Sequence, residues 1–335
     1  MTEAIDVRAI DERITTAVSL TQEERLDRAA HLAADLVRIL DDVIRGKPGA
    51  IGLSVAALLS GGHLLIEDVP GVGKTVLAKA LARSVRGSFR RVQATPDLVP
   101  SELTGVSVFS KEQDEWQFRR GPLFANVVLV DEVNRATPRT QSALLEAMEE
   151  RQVTVDGETH PLPDPFFLVA TQNPFEYTGT FPLVEGQRDR FAVVVEMGRP
   201  PPEAECDIVL GSGGLDALDH LEPVAETLQL VDAIAAVRRV HCSRAVARYI
   251  VDLAAATRAH PDVRLGASPR ASLALVNVAR AHAIMSGRDY VAPDDVKAVA
   301  VAALAHRLIV VDATDRAAAV EVVRSALGQV PVPRG

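Results

Sequence analysis

A short glycine-containing segment of the chain reads Ile66-Glu67-Asp68-Val69-Pro70-Gly71-Val72-Gly73-Lys74-Thr75. An apolar run precedes it, and a helical pattern of small and apolar residues follows from Val76. A strand, a glycine-rich turn and a helix in this order form the context of a phosphate-binding loop, or P-loop. The glycines let backbone N–H groups turn towards a polyphosphate, and the helix adds the positive end of its dipole. The segment therefore predicts a nucleotide-phosphate site.

Each part of this motif has a predicted contact with a nucleotide. Lys74 places a positive charge at the β- and γ-phosphates, and the hydroxyl of Thr75 is a magnesium ligand. The usual motif begins with glycine where this chain has Asp68, whereas the Gly-x-Gly-Lys-Thr core is complete. The residues that we expect to bind the nucleotide are Asp68, Val69, Pro70, Gly71, Val72, Gly73, Lys74, Thr75 and Val76.

Composition indicates a protein with a large aliphatic core. The 335 residues are enough for two domains, hydrophobic residues make up 47%, and aromatic residues only 4%. Many small and aliphatic side chains favour helices packed on a parallel sheet, an α/β fold. The net charge of −9 argues against a general nucleic-acid-binding protein.

The ends and the cysteines of the chain indicate its compartment. The acidic first residues lack the apolar region of a signal peptide, and no apolar run is long enough to span a membrane. Cys206 and Cys242 lack the spacing of a metal site and are expected to be free thiols. We therefore expect a cytoplasmic protein without a membrane span.

A second apolar run, Val127-Val128-Leu129-Val130-Asp131-Glu132, ends in paired carboxylates. The run of β-forming residues indicates a strand buried on both faces, and open α/β sheets bind ligands where such strands end. Asp131 is the predicted magnesium ligand, through water. Glu132 is the residue that would orient or deprotonate the attacking water. A capped strand end is the alternative, and the upstream P-loop argues against it.

Two later polar positions are candidates for the reaction, each with a structural alternative. Asn173 follows a third apolar run and would hydrogen-bond the γ-phosphate or the attacking water; an Asn-Pro turn explains it equally well. Arg190 precedes the last strand pattern and would stabilise the transferring phosphate from a neighbouring subunit. The alternative is a surface ion pair with Glu185 or Asp189.

Arg270 is the one chemically unusual residue of the second half of the chain. It lies in the first turn of a predicted helix that Ser268 caps and Pro269 begins. The helix dipole disfavours a cation there, so the position indicates a nearby anion. That anion is either a nucleotide phosphate or a local carboxylate such as Asp289.

Changes of pattern divide the chain into four parts. Strand patterns are confined to the first part of the sequence, and the proline-rich Arg199-Pro200-Pro201-Pro202 separates them from a region of helical patterns. The first residues combine charge with helical spacing, so a solvated tail is an alternative there. We expect an N-terminal helical extension at 1–30, a nucleotide-binding core at 31–198, a linker with the first lid helix at 199–226, and a helical lid at 227–335.

These motifs, in this order, resemble AAA+ ATPases and specifically the MoxR family, over residues 31–327. The resemblance implies an α/β fold: a P-loop AAA+ core, with a five-stranded parallel sheet and helices on both faces, followed by an all-α lid domain. It also implies a hexameric ring with ATP at each interface. The segments that carry it are Gly62–Thr75, Thr95–Ser101, Asp131–Ala136, Leu144–Glu150, Ala170–Pro174 and Gly266–Arg270.

The resemblance also implies roles for the candidates. By position, the hairpins near 106–118 and 152–160 correspond to the helix-2 insert and to the hairpin before sensor 1. Family members accept Asp at the place of Asp68. The implied roles are Walker A for Lys74 and Thr75, Walker B for Asp131 and Glu132, sensor 1 for Asn173, arginine finger in trans for Arg190, and sensor 2 in cis for Arg270.

Two positions depart from the family pattern. The family usually has an apolar residue where this chain has Arg188, so either Arg188 or Arg190 is the arginine that acts on the neighbour. Near Gly46, where contact with the adenine is expected, the family commonly has Gln and this chain has Lys47. The chain has no Asn-Lys-x-Asp guanine motif, which favours ATP over GTP.

The expected activity is ATP hydrolysis with Mg²⁺, coupled to the remodelling of a protein partner. By analogy with MoxR relatives, the partner carries a von Willebrand factor A domain. The alternatives are a magnesium-chelatase-like motor subunit, an MCM-like DNA translocase and an ATP-gated scaffold that scarcely hydrolyses. A translocase needs basic hairpin tips, whereas Lys111-Glu112-Gln113-Asp114-Glu115 and Asp156-Gly157-Glu158 are net acidic. The acidic tips therefore argue against nucleic acid as a partner.

Overall fold

The computed structural model describes residues 20–174, 179–312 and 316–333. The core runs through α1 (Gln22–Val43), α2 (Pro48–Leu59), β1 (Leu64–Glu67), α3 (Lys74–Ser84), β2 (Phe89–Gln93), α4 (Pro100–Thr104), β3 (Gly105–Ser110), β4 (Glu115–Arg120), β5 (Val127–Asp131), α5 (Pro138–Glu150), β6 (Gln152–Val155), β7 (Glu158–Pro161), β8 (Phe167–Gln172), α6 (Glu185–Arg188) and β9 (Val193–Val195). The lid follows as α7 (Pro202–Val209), α8 (Gly214–Asp219), α9 (Thr227–Val237), α10 (Arg244–Ala259), β10 (Val263–Leu265), α11 (Pro269–Met285), α12 (Pro293–Leu304), β11 (Ile309–Val310) and α13 (Arg316–Gln329).

The first described helix begins inside the range 1–30 that we predicted as an N-terminal extension, and it continues into the core. Helix α1 starts at Gln22, because Thr21 and Glu24 form a reciprocal capping box. The backbone N–H of Glu24 donates to the Thr21 hydroxyl at 3.2 Å, and the N–H of Thr21 donates to the Glu24 carboxylate at 2.7 Å. Most of the predicted extension at 1–30 lies outside the described residues.

A five-stranded sheet in the order β2-β5-β8-β1-β9 forms the centre of the core, and all its strands are parallel. Apolar side chains of one strand alternate between two packed layers: Leu64 and Ile66 face one, and Leu65 faces the other. A sheet with both faces covered needs continuous apolar strands, as the Val- and Leu-rich runs of the sequence provide. The predicted parallel sheet with helices on both faces is therefore confirmed.

Parallel strands give the sheet two chemically different edges. We call the edge where the strands end the C-edge and the edge where they begin the N-edge. Asp68, Glu132 and Asn173 directly follow β1, β5 and β8, so they stand at the C-edge. His63 directly precedes β1 and Ala192 directly precedes β9, and the N–H of Ala192 donates to the His63 carbonyl at 2.9 Å at the N-edge.

The lid is helical, as predicted, except for the short antiparallel ribbon β10–β11. Its apolar residues continue the layer that covers one face of the sheet, so lid and core share one buried cluster. The sequence did not reveal α8, a helix of only 6 residues. None of the helices in the described residues combines the length and the apolar character needed to cross a lipid bilayer.

Two antiparallel hairpins project from the core, β3–β4 and β6–β7, close to the ranges that the sequence predicted. The ring of Phe118 stacks on that of His160 with centroids 4.0 Å apart, which joins the two hairpins. Towards the tip of the first hairpin, Phe109 and Trp116 pair across the strands, and Trp116 is 70% exposed.

His63 connects the N-edge of the sheet to α5 as a buried neutral side chain. Its Nδ1 accepts from the N–H of Leu168 at 3.0 Å, so its Nε2 donates to the Met148 carbonyl, 3.1 Å away. Burial lowers the pKa of His63 from 6.5 to about 4. The folded protein therefore disfavours the protonated ring that the unfolded chain carries in mild acid.

We expect His63 to make stability depend on pH. Because its folded pKa lies below its unfolded pKa, its contribution is complete above about 6.5 and is lost as the pH falls towards 4. Between pH 7 and pH 5 the loss is about 2 kcal/mol. Urea unfolding of the wild type and of His63→Gln at both pH values measures it. An equal loss in both proteins would contradict the assignment.

Candidate active site

The phosphate loop joins β1 to α3 at the C-edge. Gly71 and Gly73 have φ angles of +86° and +95°, in the left-handed region that side-chain-bearing residues rarely adopt. Gly73 is also the N-cap of α3, whose first-turn N–H groups have no carbonyl partner within the helix. These N–H groups, together with the helix dipole, suit an anion.

Lys74 lies at the base of this loop, where three carboxylates act on it. Its Nζ donates to the backbone carbonyl of Asp68 at 2.6 Å. Burial lowers the pKa of Lys74, while the charges of Asp68, Asp131 and Glu132 oppose that change. The P-loop lysine and the paired acids therefore share one electrostatic environment, although β8 separates their strands in the sheet.

The paired acids at the end of β5 are held by neighbouring strands. The buried Asp131 accepts from Arg91 Nε at 2.6 Å and from the Thr171 hydroxyl at 3.2 Å. Glu132 has a left-handed backbone, with φ +56°, and its carboxylate accepts from Gln93 Nε2 at 2.8 Å. Arg91 and Gln93 were not predicted, because they alternate along β2 without any motif of their own.

Glu132 has a second partner, Arg135, whose Nε lies 3.1 Å from the same carboxylate oxygen that Gln93 contacts. Gln93 is the last residue of β2, so the Glu132 carboxylate contacts the strand beside its own. Asn173 follows β8, the strand between β1 and β5, so it stands between the phosphate loop and the paired acids. Four predicted site residues therefore lie together at the C-edge of the sheet: Lys74, Asp131, Glu132 and Asn173.

The donor set fits a nucleotide with magnesium. In the described residues, no group of three or more His, Cys, Asp or Glu side chains could hold a metal ion. Magnesium on a nucleotide needs few protein ligands, because phosphates and water complete its shell. Thr75, at the start of α3, and Asp131 supply one hydroxyl and one carboxylate at the same edge.

Both predicted arginines lie at the opposite edge and share one carboxylate. Arg190 precedes β9, donates to the Leu145 carbonyl at 3.2 Å and forms an ion pair with Glu149. Arg270, in the first turn of α11, pairs with the other oxygen of Glu149. The partner is thus Glu149, at the end of α5, and not one of the carboxylates that the sequence suggested.

This position disagrees with the expected action of Arg270 on the nucleotide of its own subunit. Arg270 is bound beside Arg190 at the N-edge, whereas the phosphate loop lies at the C-edge. The physical reason is the direction of α5, which begins beyond the C-edge and carries Glu149 back to the N-edge. The structure therefore groups Arg270 with the trans candidate Arg190.

Arg188 is held by its own loop, since its Nε donates to the Leu183 carbonyl at 3.0 Å.

Gly46 packs against the linker between core and lid. Its φ angle is +72°, and a Cβ there would lie 2.7 Å from Cδ of Pro201. The buried Lys47 donates to the Gly198 carbonyl at 2.5 Å. Gly46 thus lies at the junction of core and lid, and its contact with adenine stays a prediction.

The junction of core and lid also contacts the phosphate loop, through Asp68. The N–H of Gly198 donates to Asp68 Oδ2 at 2.6 Å, while Asp68 Oδ1 accepts from the N–H of Val69 at 2.7 Å. Lys47 binds the opposite side of the Gly198 peptide. The residue that replaces the first glycine of the usual motif therefore ties the loop to the linker.

Comparisons with known proteins agree with this geometry. The family model described as ATPase family associated with various cellular activities (AAA) matches residues 63–193, and the AAA lid domain model matches 255–326. The YeaC protein of Bacillus subtilis is 47% identical over 278 residues, which cover 83% of this chain and 87% of that protein. Chaperone MoxR1 of Mycobacterium tuberculosis is 42% identical over 277 residues, 80% of this chain and 73% of the relative.

A solved structure extends the likeness to three dimensions. A putative ATPase from Cytophaga hutchinsonii superimposes with a TM-score of 0.84 at 32% identity, over 93% of this chain and 98% of that one. The fold, the phosphate loop and the lid define an AAA+ ATPase. Among these enzymes, the chain belongs to the MoxR family.

We expect Gly73→Ala to weaken nucleotide binding at least tenfold, because an alanine disfavours φ +95° by roughly 1–2 kcal/mol and the loop would move. Equilibrium titration with a fluorescent nucleotide measures the affinity. Gly157→Ala is the matched control, since Gly157 has φ +83° in the β6–β7 turn with open space around it. Both variants should lose similar stability, and equal nucleotide affinity in both would contradict the role of Gly73.

Proposed function

We propose that this protein hydrolyses ATP with Mg²⁺ at interfaces of a hexameric ring, each site combining the C-edge of one subunit with the N-edge of the next. One observation carries the proposal: Lys74, Asp131 and Glu132 share one edge of the sheet, whereas Arg190 and Arg270 share the other. A complete phosphate site therefore needs two copies of the chain.

The C-edge residues divide the chemistry among themselves. Lys74 and the N–H groups of the phosphate loop bind the phosphates, and Asn173 orients the γ-phosphate or the attacking water. In this structure the Glu132 carboxylate is bound to Gln93 and Arg135. Once Glu132 has released these partners, its carboxylate accepts a proton from the attacking water. Magnesium, when bound by Thr75 and through water by Asp131, supplies charge neutralisation to the phosphates.

The N-edge residues act on the neighbour. As the bond to the γ-phosphate breaks, negative charge builds on the phosphate oxygens, and guanidinium groups stabilise it. Arg190 comes from the core and Arg270 from the lid, so one phosphate contacts both domains of the adjacent subunit. This arrangement links hydrolysis at one interface to the angle between core and lid in the next subunit.

Glu132→Gln should bind ATP with near wild-type affinity and hydrolyse it at least tenfold more slowly, because the amide cannot accept the proton of water. A phosphate-release assay and a nucleotide titration together measure the two properties. Glu158→Gln, in the exposed hairpin strand β7, removes the same charge from a residue that we do not place in the site, and it should leave turnover unchanged. Equal turnover of Glu132→Gln and the wild type would refute this role.

Mixing variants tests the trans action of both arginines. Glu132→Gln and Arg190→Ala should each be inactive alone, whereas their mixture should recover activity, because some interfaces then join an intact C-edge to an intact N-edge. Mixing Glu132→Gln with Arg270→Ala should also recover activity if Arg270 acts in trans. If activity recovers in the mixture with Arg190→Ala but not in the mixture with Arg270→Ala, Arg270 acts on the nucleotide of its own subunit.

The biological role that we propose is that of a cytoplasmic chaperone that remodels or matures a protein partner, one with a von Willebrand factor A domain. The name of the relative Chaperone MoxR1 supports the chaperone role. The exposed Phe109 and Trp116 give the β3–β4 hairpin an apolar contact surface near an acidic tip. The acidic tip argues against a DNA translocase, which needs basic residues there. ATP turnover that DNA stimulates would favour the translocase instead.

A further inference from the structure

Glu149 binds two arginines that come from different domains. One carboxylate oxygen pairs with Arg190 of the core, and the other pairs with Arg270 of the lid. All three side chains keep partial contact with solvent, with 29% of Arg190, 47% of Arg270 and 32% of Glu149 exposed. An anion that arrives at this surface can therefore reach the two guanidinium groups.

Helix dipoles do not explain why these charges stand where they do. Glu149 lies in the last turn of α5, which has no basic residue, although a helix C-terminus favours cations. Arg270 lies in the first turn of α11, where anions are favoured. Each charge sits at the unfavourable end of its helix, so the pair is held by mutual attraction rather than by local helix stability.

Positive charge is in surplus around Glu149. A cavity of about 410 Å³ has five arginines and two carboxylates among its lining residues: Arg151, Arg190, Arg238, Arg270, Arg307, Glu149 and Asp189. Asp189 is already bound to the buried Arg307, whose Nε lies 2.9 Å from its carboxylate. Burial, and to a lesser extent the like charge of Arg270, lower the pKa of Arg190.

We propose that Glu149 occupies the place of the terminal phosphate of a neighbour's nucleotide, and that phosphate and carboxylate compete for Arg190 and Arg270. The proposal rests on the trans function of these arginines given above. A terminal phosphate offers more charge and more acceptor oxygens than a carboxylate, so it displaces Glu149 when a loaded neighbour docks. In the unassembled subunit Glu149 keeps the arginines paired and holds the lid against the core.

Competition predicts that removing the carboxylate favours assembly. Glu149→Gln should lower the protein concentration at half-maximal ATPase activity about fivefold, because two partly exposed ion pairs no longer oppose docking. Glu149→Asp keeps the charge but is too short to bridge both arginines, so it should give a smaller shift in the same direction. Glu150→Gln is the matched control: Glu150 is the next residue, is exposed, and should show no shift.

A second measurement isolates the arginines from catalysis. In a Lys74→Ala background, which weakens the phosphate loop, inorganic tripolyphosphate should bind Glu149→Gln at least fivefold more tightly by calorimetry. Adding Arg270→Gln should remove that gain. Unchanged or weaker binding by Glu149→Gln would overturn the proposal, as would an unchanged half-maximal concentration.

The two experiments separate this inference from the proposed function. A wild type that shows no ATPase activity at any protein concentration would refute the trans enzyme, whereas the tripolyphosphate titration would still test Glu149. If the activity of the wild type depends on protein concentration and Glu149→Gln has the same half-maximal concentration, the competition is refuted but the trans function is not. If Glu149→Gln unfolds, Glu149→Asp carries both measurements, with the same sign expected.

Discussion

The direction of the strands is the constraint on which the rest of the structure depends. Because all five strands of the central sheet run the same way, their ends collect at one edge and their beginnings at the other. Acids and loops that follow strands converge on phosphates, whereas residues that precede strands are kept apart from them by the length of the sheet. The separation of Lys74 from Arg190 follows from chain direction alone, and the two-copy phosphate site that we propose is based on this separation.

The lid is coupled to the phosphate edge by charged contacts that a motif search does not find. Arg316 of α13 pairs with Glu196 after β9 and lies 3.7 Å from Glu67, the last residue of β1. Glu67 also accepts from Gln172, which directly precedes Asn173. Burial raises the pKa of Glu67, and Arg316 is the main opposing influence. One carboxylate thus connects the strand before the phosphate loop, the strand that ends beside Asn173, and the lid.

The sequence predicted those features that are local in the chain. The phosphate loop, the strand ending in Asp131 and the capped start of α11 are each read from a few consecutive residues, and the sheet follows from apolar runs. Their partners could not be read in this way. Gln93 and Glu149 meet their targets only after the chain has folded, and the start of α1 depended on a capping pair that apolar spacing does not register.

The hairpin β3–β4 has a spectroscopic consequence. Trp116 is the only tryptophan in the chain, and it lies 70% exposed near the tip of that hairpin against the ring of Phe109. Intrinsic emission excited at the red edge of protein absorption therefore comes from this one place. The native protein therefore carries an optical reporter on an exposed hairpin, and no label has to be attached to follow contacts there.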